Sequence, residues 1–359
     1  MKSIASAPAK IILLGEHFVV YGSKAMLAAI DKRVTVTSTL TDKAIIKIKS
    51  VLGTLEVPTY VSYQEVKSEF RPFVYLAKKI INSENWKNAE PAKGLEIEIN
   101  SDIPVGVGLG SSSACCVAAT ASIYGLFKKL SSEEIVEISI EAEKTIFPDT
   151  SGADCTVCTY GGMIVYDKIN GIEKIDNTKY KIKDFETVTD LNFIIANSMI
   201  PHSTKRIVER VKKFKENNEE EFSTLCGYVT SMISDVLRGL KMMDSDDNTD
   251  TFEGYLGMHM NGINRFLQTI GVSNPTLNSM LELLSRGGNG DGGAGLLSAK
   301  ITGAGDGGCV IALVEERDKM VELLTRARAV LGKDKECFSA KIDTKGVVWS
   351  MIQEEDDYE

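Results

Sequence analysis

The stretch PVGVGLGSSSACCVAAT, residues 104–120, sets three glycines and three serines in front of small apolar residues. Glycine permits backbone with positive φ and lets a ligand approach the bare main chain. Serine is a preferred N-cap residue, and the apolar run from Ala114 onward predicts a helix. A helix entered this way directs unpaired N–H groups and its positive dipole end into the loop, which favours an anion such as phosphate. A tight turn into a buried helix is the alternative that this stretch alone leaves open.

The overall composition indicates an ordinary soluble globular chain with two domains. Of the 359 residues, 43% are hydrophobic and 25% are charged, and the formal net charge is −9. This charge disfavours nucleic acid or an anionic membrane as a partner. We identify no signal peptide or membrane anchor, and residues 104–126 hold too much Gly, Ser and Ala to predict a membrane span. Seven cysteines, an odd number, indicate reduced thiols and a cytoplasmic protein.

Other phosphate-binding patterns do not fit this chain. The Walker-type pattern G-x-x-x-x-G-K-[ST] does not occur in it. The pattern G-x-G-x-x-G occurs at residues 290–295 and 303–308. The first copy follows a helix-like segment and leads into a strand-like one, and the second joins two strand-like runs. Neither copy therefore has the strand–loop–helix context of a dinucleotide-binding site.

The first half of the chain alternates predicted strands with predicted helices. The strands are Ile11–Leu14, Val34–Leu40, Ala44–Ile48, LEIEIN (95–100) and GGMIVY (161–166), and the helices are Phe73–Ile81, Ala114–Lys129 and Glu133–Lys144. Ser131 with Glu134 three residues later predicts a capping box at the start of the last helix.

The second half follows a different order. A strand at 191–198 precedes a largely helical stretch from Thr204 to Arg286. Two strands then flank residues 303–308, and a helix at Lys319–Val330 leads to two final strands. The order strand–helix–strand–strand–helix–strand indicates a ferredoxin-like domain. The domain boundary is predicted near residues 180–190.

Polar residues interrupt the apolar runs at separate places. Lys10 precedes a strand that ends in Glu16 and His17, which suits either a cleft or an ordinary surface. Glu143 lies near a helix end and Asp154 follows eleven residues later. Two carboxylates that meet at one site suit Mg²⁺ binding together with general-base work.

Three ordered motifs carry a resemblance to a known family. PAKIILLGEHFVVYG (8–22), PVGVGLGSSSACC (104–116) and KITGAGDGGC (300–309) are similar to the three motifs of the GHMP kinases. The resemblance runs from end to end of the chain. It implies an α+β fold of two domains: a ribosomal S5 domain 2-like N-terminal domain at 1–185 and a ferredoxin-like C-terminal domain at 186–359.

The resemblance also implies a role for individual residues. Asp154 matches the catalytic aspartate, and Lys10 matches the lysine that stabilises it. Ser112 and Glu143 match ligands of Mg²⁺, and the substrate-side residues are Glu16, His17 and Thr204. The residues implied to bind ATP are Gly106, Val107, Gly108, Leu109, Gly110, Ser111, Ser112, Gly303, Ala304 and Gly305.

Within the family, the motifs are most similar to the branch that phosphorylates mevalonate. Sugar kinases of the family carry an acidic residue two positions after the histidine, whereas this chain has Phe18-Val19-Val20. The implied reaction is ATP-dependent phosphorylation of the 5-hydroxyl of (R)-mevalonate, by a homodimer in the cytoplasm. The alternatives are a kinase for a sugar, homoserine or phosphomevalonate, and a family member that binds a ligand without turnover.

Several residues depart from the family pattern. Asp306 stands where the third motif usually has glycine, which changes the local geometry and charge, and His202 replaces a usual arginine. IFPDTSG (146–152) and the glycine-rich link at 285–299 also differ. We predict that Cys155 and Cys158 lie on a strand-like run with their thiols on opposite faces, and therefore that they bind no zinc and form no disulfide.

Overall fold

The structure, a computed structural model, describes residues 1–87, 93–175, 191–201, 203–242, 252–286, 296–315 and 317–352. The predicted boundary between 1–185 and 186–359, His202, most of the glycine-rich link and the acidic tail lie outside the described residues. The described helices are α1 (Arg71–Ile81), α2 (Glu84–Lys87), α3 (Ser111–Gly125), α4 (Ser132–Lys144), α5 (Ala153–Tyr160), α6 (Thr204–Asn217), α7 (Glu219–Met242), α8 (Phe252–Thr269), α9 (Pro275–Arg286) and α10 (Met320–Leu331). None of these helices is long and apolar enough to cross a membrane.

The described strands are β1 (Lys2–Leu14), β2 (Ala25–Thr41), β3 (Ile45–Ser50), β4 (Gly53–Pro58), β5 (Gly94–Ser101), β6 (Met163–Asp167), β7 (Gly171–Ile175), β8 (Asn192–Asn197), β9 (Leu296–Thr302), β10 (Cys309–Val314), β11 (Glu336–Lys341) and β12 (Val348–Ile352). In the described part of the chain, eight of them form a first sheet in the order β12-β1-β2-β5-β3-β4. Strand β6 also pairs with β2, and β7 pairs with β6. Helix α3 packs on β1 and β2. The candidate phosphate loop at 106–110 therefore leads into a buried helix that packs on the two longest described strands.

The second sheet confirms the ferredoxin-like prediction. Its described strands are antiparallel and run in the order β11-β8-β10-β9. Helices α6 to α9 connect β8 to β9, and α10 connects β10 to β11. The turn between β9 and β10 carries the third glycine motif, so the topology places that motif at one end of the sheet.

The last strand lies in the other sheet. The sequence range predicted for the second domain includes residues 348–352, yet β12 pairs antiparallel with residues 2–6 of β1. The indole Nε1 of Trp349 donates to Ser3 Oγ at 2.7 Å. Gly125 makes room for this ring, because a Cβ there would lie 1.7 Å from Trp349 Nε1. The ferredoxin-like sheet is complete without β12, so this strand pairs with the edge strand β1 of the first sheet instead.

One secondary-structure prediction is confirmed at atomic detail, and one is wrong. Ser131 Oγ accepts from Glu134 N–H, and the Glu134 carboxylate accepts from Ser131 N–H, which makes the predicted capping box of α4. Cys155 and Cys158, predicted on a strand, lie instead in α5, where tertiary packing overrides the β-type propensity of the segment. Burial raises the pKa of both thiols well above the usual value. Residues three apart in a helix lie on the same face, so the reason given against zinc does not hold, and the absence of zinc stays a prediction.

We expect Gly125→Ala to lower the free energy of unfolding by about 1–3 kcal/mol, because the added methyl must displace Trp349 and with it β12. Gly227→Ala is the matched control. Gly227 lies in α7, and no neighbouring atom comes within 4 Å of the place that a Cβ would take there, so alanine should stabilise the helix by roughly 0.5–1 kcal/mol. Urea unfolding of both variants measures the difference. Equal effects would show that Trp349 does not need the space at Gly125.

Candidate active site

The loop before α3 is shaped by glycine. Gly106, Gly108 and Gly110 have φ values of 73°, 88° and 73°, and Gly110 is the N-cap of α3 with no side chain to bond the first-turn amides. The helix begins at Ser111, three residues before the predicted start. Nothing lies within 4 Å of where a Cβ of Gly106 would stand. The open N–H groups and the uncrowded loop fit an anion such as the phosphates of ATP.

Close backbone contacts bring the three motifs together at this loop. A Cβ on Gly110 would lie 2.6 Å from Lys10 Cγ, and Lys10 N–H donates to the Leu109 carbonyl at 2.9 Å. A Cβ on Gly303 would lie 2.8 Å from the Cα of Gly108. The first and third motifs thus contact the second from two sides, at positions where any side chain would separate them.

Lys10 and Asp154, predicted as the catalytic pair, form an ion pair. Lys10 Nζ lies 2.9 Å from Asp154 Oδ2; the lysine side chain is 4% exposed and the aspartate 33%. Asp154 is the second residue of α5, after Gly152 with φ 81°. The helix dipole favours a negative charge at this end. The carboxylate is therefore held by a buried cation while part of it remains open to solvent or substrate.

Glu143 is buried beside this pair. Its oxygens accept hydrogen bonds from Ser113 Oγ and, at 2.6 Å, from Thr150 Oγ1. Burial raises the pKa of the Glu143 carboxyl, and the negative charge of Asp154 raises it further. Ser112, the predicted partner of Glu143 at a metal ion, is half-buried; the structure pairs Glu143 with Ser113 instead. Sequence reasoning missed Ser113 because three consecutive serines offer no pattern that separates them.

Glu16, predicted on the substrate side, forms a buried ion pair with Lys300. The Lys300 ammonium also donates to the carbonyls of Ile12 at 3.0 Å and Ile301 at 2.6 Å. Burial raises the pKa of the Glu16 carboxyl, and the Lys300 charge opposes that rise. Glu16 Oε2 is buried with no hydrogen-bond partner among the described residues. Sequence reasoning missed Lys300, although a lysine within the apolar run LLSAKI was a signal for a buried partner.

His17 adopts a left-handed backbone conformation with φ 61°. Its Nε2 lies 2.8 Å from the Ala304 carbonyl, an acceptor, so Nε2–H donates and Nδ1 is left as an acceptor. Burial lowers the pKa of His17 to about 4. The side chain is therefore neutral at pH 7 and suits a hydroxyl donor better than it suits a carboxylate.

The remaining predicted residues lie in the third motif and at the start of α6. Gly303 and Gly305 have φ values of 83° and 84°, and Ala304 between them holds His17. Thr204 opens α6 with an exposed side chain. In the described structure, no hydrogen bond or ion pair joins Thr204 to His17 or Asp154.

Comparison with known proteins identifies the class to which this fold and site belong. The family model described as "GHMP kinases N terminal domain" matches residues 73–162, and "GHMP kinases C terminal" matches residues 250–333. The chain belongs to the GHMP kinase family and is an enzyme of the kinase class.

Two relatives and one solved structure illustrate the similarity. The mevalonate kinase of Pyrococcus furiosus is 34% identical over 91% of this chain and 93% of its own length, and that of Thermococcus onnurineus is 33% identical over 89% and 92%. The crystal structure of Methanococcus jannaschii mevalonate kinase matches with a TM-score of 0.76 and 25% identity, over 95% of this chain and 98% of that one.

We expect His17 to remain neutral, with its proton on Nε2, from pH 8 down to about pH 5. Because its folded pKa lies below the unfolded value, the stability it contributes is present above about pH 6.5 and is lost as the pH falls toward 4. Histidine NMR is practical because the chain has three histidines, and His17→Gln assigns the signal. A titration midpoint near 6.5 would contradict the buried, hydrogen-bonded ring.

Proposed function

We propose that the protein transfers the terminal phosphoryl group of ATP to the 5-hydroxyl of (R)-mevalonate. The observation that carries this proposal is the Lys10–Asp154 pair, which lies beside the glycine loop 106–110 at the start of α3. The names of the relatives support the acceptor. A ligand-binding protein without turnover has no need of a partly exposed carboxylate held by a buried lysine.

The site residues divide the work of phosphoryl transfer among them. Asp154 accepts the proton of the substrate hydroxyl, or orients it, as that oxygen forms a bond to the terminal phosphorus. The bond from this phosphorus to the bridging oxygen breaks, and ADP leaves. Lys10 offsets the negative charge on Asp154 and on the attacking oxygen. The amides of residues 106–112 and the dipole of α3 hold the phosphates, so positioning and charge stabilisation supply the catalysis.

Glu143 and Ser112 would hold a magnesium ion at this site. The described residues include no group of three or more His, Cys, Asp or Glu side chains placed to hold a metal ion. Mg²⁺ is usually bound through one or two carboxylates, phosphate oxygens and waters. The fit rests on the chemistry of the donors, because a carboxylate and a hydroxyl are oxygen ligands, and Glu143 contacts Cys155, the neighbour of Asp154, at 3.6 Å. A bound ion would neutralise phosphate charge, and Ser113 would orient the Glu143 carboxylate.

The substrate segment favours an acceptor with few hydroxyls. Phe18 is fully buried and stacks on Phe222 of α7 with ring centroids 5.5 Å apart, and Val19 is also buried. No acid at 18–20 is available to accept hydrogen bonds from sugar hydroxyls. Neutral His17 with its free Nδ1 fits a single substrate hydroxyl. Thr204, together with Lys205 beside it at the start of α6, is our candidate for contacting the carboxylate of mevalonate. The homodimer and the cytoplasmic location likewise stay predictions.

We expect mevalonate to be phosphorylated at least about a hundredfold more efficiently, in kcat/KM, than galactose, homoserine or 5-phosphomevalonate. Two polar groups left unpaired in the site are worth roughly that factor. Coupled ADP-release assays with these four acceptors measure it. Comparable turnover of galactose or 5-phosphomevalonate would replace the proposed acceptor with another of the family, and no turnover of any acceptor would favour a binding protein.

We expect Asp154→Asn to lower kcat by a factor of about 10² to 10⁴, the range typical of general acid–base groups. Binding of MgATP should change little, because the loop at 106–112 is untouched. Asp149→Asn, which neutralises an exposed aspartate five residues earlier, is the matched control and should keep wild-type activity. Single-turnover kinetics separates the chemical step from product release. Near-wild-type turnover in Asp154→Asn would remove this residue from catalysis.

A further inference from the structure

Asp306 places a negative charge in the third glycine motif. It has φ 57°, a left-handed conformation that aspartate tolerates better than most side chains, and the neighbouring glycines 303, 305, 307 and 308 also have positive φ. Its N–H donates to the Val272 carbonyl at 2.7 Å. The Asp306 amide is therefore already occupied, and what this residue adds to the turn is its carboxylate.

Arg210 of α6 neutralises that carboxylate. Arg210 Nη2 lies 2.9 Å from Asp306 Oδ2, and Nη1 donates to the Gly271 carbonyl at 3.0 Å. The planar guanidinium thus joins two separate segments, the α8–α9 connection and the glycine turn. The side chains are 44% and 34% exposed. An exposed pair of this kind adds little to folding stability, so its main consequence is the charge it cancels.

The nucleotide loop lies within electrostatic range of Asp306. Gly303 touches Gly108 of that loop, and three residues span at most about 11 Å from Gly303 to Asp306. Charges about 10 Å apart interact appreciably at low salt and are screened at high salt. Without Arg210, the Asp306 carboxylate would therefore repel the phosphates of a bound nucleotide.

We propose that Arg210 is a positioning residue for nucleotide binding: it neutralises Asp306 and so permits MgATP to bind beside the third motif. This inference rests on the proposed nucleotide site at 106–112. Because Arg210 acts by neutralising Asp306, the loss of Arg210 should weaken MgATP binding only while Asp306 is present. If the pair only held the two segments together, the loss of either residue, or of both, would weaken MgATP binding.

The test compares Arg210→Gln, Asp306→Gly and the double variant, with Arg238→Gln as control. Arg238 pairs with Asp235 within α7 and is exposed, so its loss changes the net charge of the protein by the same amount. Calorimetry measures the MgATP Kd at about 10 mM and about 0.5 M salt. At low salt, Arg210→Gln should weaken binding about fivefold, and at high salt by less than about 1.5-fold. Asp306→Gly should bind at least as tightly as the wild type.

The double variant decides between charge and structure. We expect it to bind MgATP within about twofold of wild type at low salt, with the KM for mevalonate unchanged in all variants. Equal weakening in the double variant and in Arg210→Gln, no weakening in Arg210→Gln, or the same weakening in Arg238→Gln would each overturn the proposal. If wild-type protein binds MgATP but phosphorylates no mevalonate, the proposed function fails while this inference stands. If it binds no MgATP, both fail.

Discussion

The arrangement of the site depends on the ion pair and hydrogen bonds that the buried ammonium of Lys300 makes. Its three N–H groups meet the Glu16 carboxylate and the carbonyls of Ile12 and Ile301, so it joins the end of β1 to β9 in the other sheet. A buried charge is tolerated only when it is paired and its donors are satisfied. His17, which contacts the Ala304 carbonyl, follows Glu16 directly in the chain. Residues 16–17, predicted on the substrate side, and the glycine turn that follows β9 are therefore aligned by this buried ion pair.

Much of this architecture could be predicted from the sequence, because local signals were strong. The glycines before α3, the capping box at Ser131 and the ferredoxin-like strand order each follow from short-range rules. What could not be predicted depends on partners distant in the chain. Lys300 meets Glu16 across 284 residues, and Cys155 lies in a helix because packing outweighs the propensity of its segment. Which of three adjacent serines faces Glu143 is likewise decided by the rotation of α3.

The proposed site would let an acidic protein hold polyanions. The chain carries a net charge of −9, yet the glycine loop 106–110 offers backbone amides and a helix dipole, which add no net charge. Two cations of the site are paired with carboxylates, Lys10 with Asp154 and Arg210 with Asp306. Local orientation of dipoles, rather than an excess of basic side chains, provides the attraction.

The pairing of β12 with β1 affects how the chain is made as well as how it folds. Residues 2–6 leave the ribosome hundreds of residues before their partners at 348–352. Until then the first sheet exposes the open edge of β1, the kind of surface that pairs with other chains. Contacts of such long sequence separation also slow folding. During synthesis this edge therefore stays unpaired until β12 arrives.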